Sequence, residues 1–198
     1  MLPFRRHIFS VSEYFICLLF LCCETLTAQN FNIQTFTTKD GLPHNDVRAV
    51  AVDSSGFLWI ATWAGMNHST LLRYDPGTEK LETILISKDS YNIEDIFQGD
   101  NEDLWLALLG DGVCNFNPGD GKKKFYTTSD GLANNITYCL LKDKTGNIWV
   151  STNTGISRIN PQTGMIRSFG PNEGLSINEF NSGAPLNYSG RHTLSKVP

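Results

Sequence analysis

Ten residues from Asp143 to Thr152, Asp-Lys-Thr-Gly-Asn-Ile-Trp-Val-Ser-Thr, restate Asp53 to Thr62, Asp-Ser-Ser-Gly-Phe-Leu-Trp-Ile-Ala-Thr, and a worn copy lies between them at Gly99 to Leu108. The tryptophans Trp59, Trp105 and Trp149 stand 46 and 44 residues apart. A period of that length is the signature of repeat architectures, four-stranded propeller blades among them. The chain is therefore read as a repeat protein, and every other feature is judged by its place in the period.

The recurring residues have local physical roles. Asp-x-x-Gly between alternating apolar runs is a tight hairpin, in which the carboxylate accepts from turn N–H groups and Gly takes the positive-φ position. The framework residues are thus Asp53, Gly56, Trp59, Trp105, Asp143, Gly146 and Trp149. Each Trp can bury roughly 150–250 Å² and is the natural blade-to-blade packing element. In the second copy Gly99 replaces Asp and Glu102 replaces Gly, so that turn is expected to be rebuilt around Asn101.

Strand-length runs fill the rest of each period. The first unit holds Val47 to Asp53, Leu58 to Thr62, Leu71 to Asp75 and Leu81 to Ile86; the second holds 93–98, 104–108, 112–116 and 123–127; the third holds 136–142, 148–152, 156–160 and 165–169. The turns Asp75-Pro76-Gly77, Asn117-Pro118-Gly119 and Asn160-Pro161-Gln162 recur between third and fourth strands. Asn45, Asn135 and Asn178 each follow a glycine by four residues and can bond their own turn backbone, Tyr91 taking that place in the second repeat. The fold class is all-β, a β-propeller segment of about three and a half four-stranded blades. The chain divides into 1–28, a signal peptide; 29–40, an outer closing strand containing Phe31 to Phe36; blade repeats at 41–90, 91–130 and 131–173; and 174–198, the start of a truncated fourth repeat in which Thr193 falls where an aromatic is due. Closed propellers have 4 to 8 blades, so this incomplete propeller presents open blade edges as pairing surfaces.

The signal-peptide reading rests on a basic start at Arg5, Arg6 and His7 and an apolar run from Tyr14 to Cys23, shorter than the roughly 20 residues that span a bilayer. Cleavage after Ala28 leaves Cys114 and Cys139, which read as two buried free thiols or as a disulfide. The mature chain has no transmembrane span and is placed in the periplasm. No CxxC pair or Cys/His cluster proposes a metal, and no cofactor is expected. With 40% hydrophobic and 18% charged residues and a net charge of -4, the chain has nothing to attract nucleic acid.

Asp-Gly-Leu-x-x-Asn, a strand, Asp-x-x-Gly-x-x-Trp-[IV]-x-Thr, then Gly and Arg-[YI]-[DN]-Pro together resemble the two-component regulator propeller repeat. The matching residues are Asp40 to Asn45, Asp53 to Thr62 and Arg73 to Pro76, and again Asp130 to Asn135, Asp143 to Thr152 and Arg158 to Pro161; Gly174 to Asn181 resembles a late repeat. The resemblance implies the periplasmic sensor region of a hybrid two-component system of Bacteroidota, with oligosaccharides as the sensed ligands. The β-sandwich, membrane helix and kinase that follow the propellers in that family have no counterpart here, and Arg191 to Pro198 departs from the expected strand. The chain therefore reads as an N-terminal fragment that phosphorylates nothing by itself.

Sugar sites need aromatic platforms and polar side chains in rim loops. Four residues after the framework tryptophans stand Trp63, Leu109 and Asn153, so Trp63 is an extra tryptophan in a loop, Ala64 to Thr70, that is longer than its counterparts and includes Asn67 and His68. The candidate ligand-binding residues are Trp63 as a stacking platform with Asn67, His68, Asp111 and Asn153 as polar partners; the competing reading packs Trp63 on a neighbouring blade. A propeller lyase or glycosidase is the enzymatic alternative. Asp53 and Asp143 recur at one turn position, which argues for structure over catalysis, and nothing pairs the off-template carboxylates Glu94, Asp95, Asp111 and Glu179; no enzyme activity is expected. A protein-interaction scaffold, self-associating through its open edges, or a non-functional remnant is the third reading.

Overall fold

The computed structural model describes residues 33–63, 65, 69–84, 86, 92–176, 179–181, 186–188 and 191–193. The expected signal peptide, Asn67, His68, Tyr91 and Asn178 lie outside the described residues. Two compact units are distinguished, Met1–Thr35 and Phe36–Pro198. Of the strand expected over Phe31 to Phe36, Phe31 and Asn32 lie outside the described residues and residues 33–36 belong to no ladder; extended backbone becomes a strand only where a neighbour satisfies its N–H and C=O groups.

The second unit holds three four-stranded antiparallel meanders, three blades of a partial β-propeller. The first is β1 (Val47–Val52), β2 (Leu58–Trp63), β3 (Ser69–Asp75) and β4 (Lys80–Ile84). The second is β5 (Ile93–Gln98), β6 (Leu104–Leu108), β7 (Gly112–Phe116) and β8 (Lys123–Tyr126), and the third is β9 (Thr137–Lys142), β10 (Ile148–Thr152), β11 (Gly155–Ile159) and β12 (Ile166–Phe169). A two-stranded hairpin follows, β13 (Leu186–Tyr188) with β14 (Arg191–Thr193). Arg191 to Thr193 thus does form a strand, against expectation, because the preceding strand offers it a ladder.

The repeat motif is built as local chemistry requires. Asp53 Oδ1 accepts from the N–H of Ser55 and Phe57 at 3.0 Å, and its Oδ2 accepts from Trp59 Nε1 at 2.8 Å. Asp143 repeats this with Thr145, Asn147 and Trp149. Burial works to raise the Asp143 carboxyl, but bonds from Thr145, Trp149 and Asn147 outweigh it and hold the group well below its ordinary range. The second turn is not rebuilt around Asn101. Gly99 N donates to Asp103 O at 2.7 Å, as Asp53 N does to Phe57 O at 3.0 Å, and Glu102 takes the left-handed conformation, φ 63°, that Gly56 and Gly146 take at 87° and 84°.

The Asp-Gly-Leu segments close one-turn 3₁₀ helices at Thr38–Asp40 and Thr128–Asp130, and Glu173-Gly174-Leu175 closes a third at Pro171–Glu173. Thr37 N and Thr127 N donate to Asp40 and Asp130 at 2.8 Å, while Asn45 and Asn135 accept from Thr38 N and Thr128 N. The leucine after the glycine is the apolar plug: Leu132 is buried between the second and third sheets with Trp105, Val113, Ile148 and Ile159. Between the first and second sheets Trp59, Ala61 and Leu71 meet Ile93, Leu104, Leu106 and Phe116. A third cluster, Leu42, Ile60, Leu72 and Tyr74 with Phe36, covers the outer part of the other face of the first sheet. Cys114 and Cys139 are free and buried, and burial pushes both thiols up to about 12.

Candidate functional site

In an antiparallel meander the turns alternate between the two ends of the sheet. The Asp-x-x-Gly and Asx-Pro turns therefore share one rim of each blade, and the second-to-third-strand turns share the other with the 3₁₀ segments. The inner strands β1, β5 and β9 pack side by side. Each carries a β-bulge at the same repeat position: the register skips Arg48 between Val47 and Ala49, Glu94 between Ile93 and Asp95, and Tyr138 between Thr137 and Cys139. A bulge frees one residue from the ladder and re-aims its side chain.

The re-aimed residues meet the off-template turn residues. The Arg48 guanidinium lies 4.3 Å from the centroid of the Trp63 ring, and Asp46 sits 3.8 Å from its Nε. Tyr138 Oη donates to Asn153 Oδ1 at 3.2 Å. Burial, then the charges of Glu94 and Glu179, raise the Tyr138 phenol above its ordinary value. The repeats are alike where blades are built and differ here, with Arg, Glu and Tyr on the bulges and Trp, Leu and Asn at or just past the ends of the second strands.

Trp63 is the last residue of β2, its N–H bonded to Asp46 O at 2.8 Å, so it belongs to the strand end rather than the loop. Its ring is half-buried, and its Nε1 is buried without a hydrogen-bond partner. Asp111 stands in the tight turn between β6 and β7, and Asn153 in the turn between β10 and β11, its N–H bonded to Ile136 O at 3.0 Å. Trp63, Asp111 and Asn153 thus share one rim but sit on three blades. Asn67 and His68 lie outside the described residues. Sequence reasoning missed Arg48 and Tyr138; their neighbours also vary between copies, Val47 against Thr137 and Ala49 against Cys139, so no local signal marked them.

Asp95 is taken out of this rim. Its Oδ2 accepts from Leu140 N at 2.8 Å and its Oδ1 from Ile96 N at 2.9 Å, which ties β5 to β9. Among the described residues no group of three or more His, Cys, Asp or Glu is placed to hold a metal ion, and no helix is long and apolar enough to cross a membrane.

Residues 41–64 and 130–154 each match the two component regulator propeller family. The extracellular domain of a hybrid two component system from B. thetaiotaomicron is similar with a TM-score of 0.67 at 27% identity, over 79% of this chain and 21% of that one. A second such domain from the same organism gives 0.54 at 26% identity, over 74% and 20%. Histidine kinase P4 of Formosa agariphila is 26% identical over 163 residues, 79% of this chain and 12% of the kinase. The chain therefore spans a small part of the length of the relatives it matches.

Proposed function

Since residues 41–64 and 130–154 match the two component regulator propeller family, we propose that the chain is a ligand-sensing propeller module, exported to the periplasm, which binds an oligosaccharide at the rim carrying Trp63. The observation that carries this reading is the set of bulge-to-turn pairs, Arg48 with Trp63 and Tyr138 with Asn153. These side chains are not required by the repeat, and they combine an aromatic face with hydrogen-bonding groups. One face of Trp63 is taken by Arg48, so a sugar stacks on the other or displaces the guanidinium. Asp111, and Asn67 and His68 of the adjoining loop, supply further polar contacts. The similarity to extracellular domains of two-component systems supports sensing over catalysis and supports export.

The test is a titration of the chain with a panel of neutral and acidic oligosaccharides, followed by tryptophan fluorescence. A saturable change that Trp63→Ala removes is expected; no change with any of them, or an unaltered response in the variant, would sink the reading. A second reading, self-association, is favoured by the exposed valines Val47, Val50 and Val52 on β1.

A further inference from the structure

The second repeat departs from its sisters at two positions around the framework tryptophan, on the rim opposite Trp63. In the first and third sheets the indole N–H donates to an aspartate, and two turn amides donate to the other oxygen of the same carboxylate. Opposite each ring across the ladder stands an arginine, Arg73 or Arg158, whose guanidinium lies 6.0 or 5.8 Å from the ring centroid. In the second sheet Gly99 replaces the aspartate and Asn115 replaces the arginine. Yet the turn backbone keeps its course, with the Gly99 to Asp103 bond and the left-handed Glu102 described above.

The turn amides are consequently still in position, while Trp105 Nε1 stands 2.9 Å from where a Gly99 Cβ would be, close against the space that the aspartate side chain fills in the sister sheets. Among the described residues no acceptor meets the Trp105 indole N–H or the amides of Asn101 and Asp103. Asn115 Nδ2, beside Trp105, is buried and also without a partner. A cavity of about 130 Å³ opens there, lined by Gly99, Trp105, Asn115, Tyr126, Lys142 and Gln162 among others. Asn115 Nδ2 carries a cost for being buried unpaired, and converging N–H groups favour an anionic oxygen.

We propose that this cavity binds a carboxylate, which accepts from the Trp105 indole N–H and Asn115 Nδ2 as the Asp53 and Asp143 carboxylates accept from the indoles of the sister sheets. Of the flanking charges, Asp100 is neutralised by its ion pair with Lys142, and the Asp103 carboxylate accepts from Asn117 Nδ2 at 2.7 Å. The residual charge of Asp103 opposes a bare anion, so the site suits a carboxylate carried on a compact body that adds contacts. A cavity of roughly 150 Å³ holds a six-membered ring, which sets the size of that body.

The experiment uses the full chain with its four tryptophans labelled with ¹⁵N at the indole, the Trp105 signal being identified by Trp105→Phe. Propionate, at constant ionic strength, is expected to move the Trp105 indole proton saturably with a Kd of about 10 mM, the modest affinity of a five-atom ligand. The Trp59 and Trp149 signals stay in place, and isosteric propionamide leaves all four unmoved. Gly99→Asp supplies the carboxylate internally and removes the response; because a Cβ at Gly99 stands 2.9 Å from Trp105 Nε1, the ring has to give way. Asn115→Leu, which leaves the turn untouched, is therefore the second variant, and it weakens propionate several-fold. A Trp105 signal that does not saturate, one that moves together with Trp59 and Trp149, or one that responds equally to propionamide overturns the proposal.

Discussion

Glu102 carries a strain that its two counterparts avoid by being glycine. A non-glycine residue in the left-handed region costs roughly 1–2 kcal/mol, part of which glycine returns through its freer unfolded chain. Glu102→Gly is therefore expected to stabilise the protein by about 0.5–1 kcal/mol, read as a rise in urea midpoint at unchanged m-value. A fall would mean that the Glu102 side chain makes contacts worth more than the strain. The Asp and Trp of the motif were legible separately, one as a turn acceptor and one as a packing ring. That they bond directly, Trp59 Nε1 to Asp53 Oδ2 at 2.8 Å, was not read, because an i to i+6 contact depends on the hairpin having closed.

At the level of strands, the seam between the second and third sheets is held by polar groups as well as by apolar packing. Thr137 Oγ1 accepts from Leu108 N at 2.8 Å, and its one proton goes to the Gly112 carbonyl at 2.8 Å, with the Leu108 carbonyl at 3.0 Å as the alternative acceptor. Gly112 admits no side chain, since a Cβ would stand 2.1 Å from Tyr126 O at φ 75°. Asp95 bridges the same seam beside Cys139. Burial raises its carboxyl to about 6, against the lowering effect of the Leu140 and Ile96 amides. The folded state thus holds this proton more tightly than the unfolded state does, so the Asp95 contribution to stability is greatest below about pH 4 and is lost as pH rises through about 6. Asp95→Asn keeps an acceptor for Leu140 N and removes the charge. It is expected to flatten this part of the stability profile and to be more stable than the parent at pH 7.5, measured as the difference in urea midpoint between pH 4 and pH 7.5. An unchanged difference would show that Asp95 titrates as in the unfolded chain.

For the molecule as a whole, the face of the first sheet turned away from the second is only partly covered. Phe36 and Leu42 pack over Ile60, Leu72 and Tyr74, while Val50 and Val52 remain 60% and 66% exposed. Exposed apolar strands of this kind invite pairing. The proposed self-association is expected to appear in sedimentation velocity as a concentration-dependent shift that the double variant Val50→Glu, Val52→Glu abolishes; a chain that stays monomeric at every concentration would dismiss it.

The sequence by itself determined the period, the four strands per unit and the three turn chemistries, because these depend on contacts within a few residues and recur in the first and third copies. Strand bounds such as Leu104–Leu108 and Ile148–Thr152 follow from the alternation around a framework Trp. Only the tertiary structure decided that Glu102 holds a turn open to glycine, that bulges aim Arg48 and Tyr138 at Trp63 and Asn153, and that Asp95 serves a seam instead of a rim. Those features arise from register and from sheet-to-sheet packing, which join residues as far apart as Asp95 and Leu140, and no local pattern encodes which groups such packing brings together.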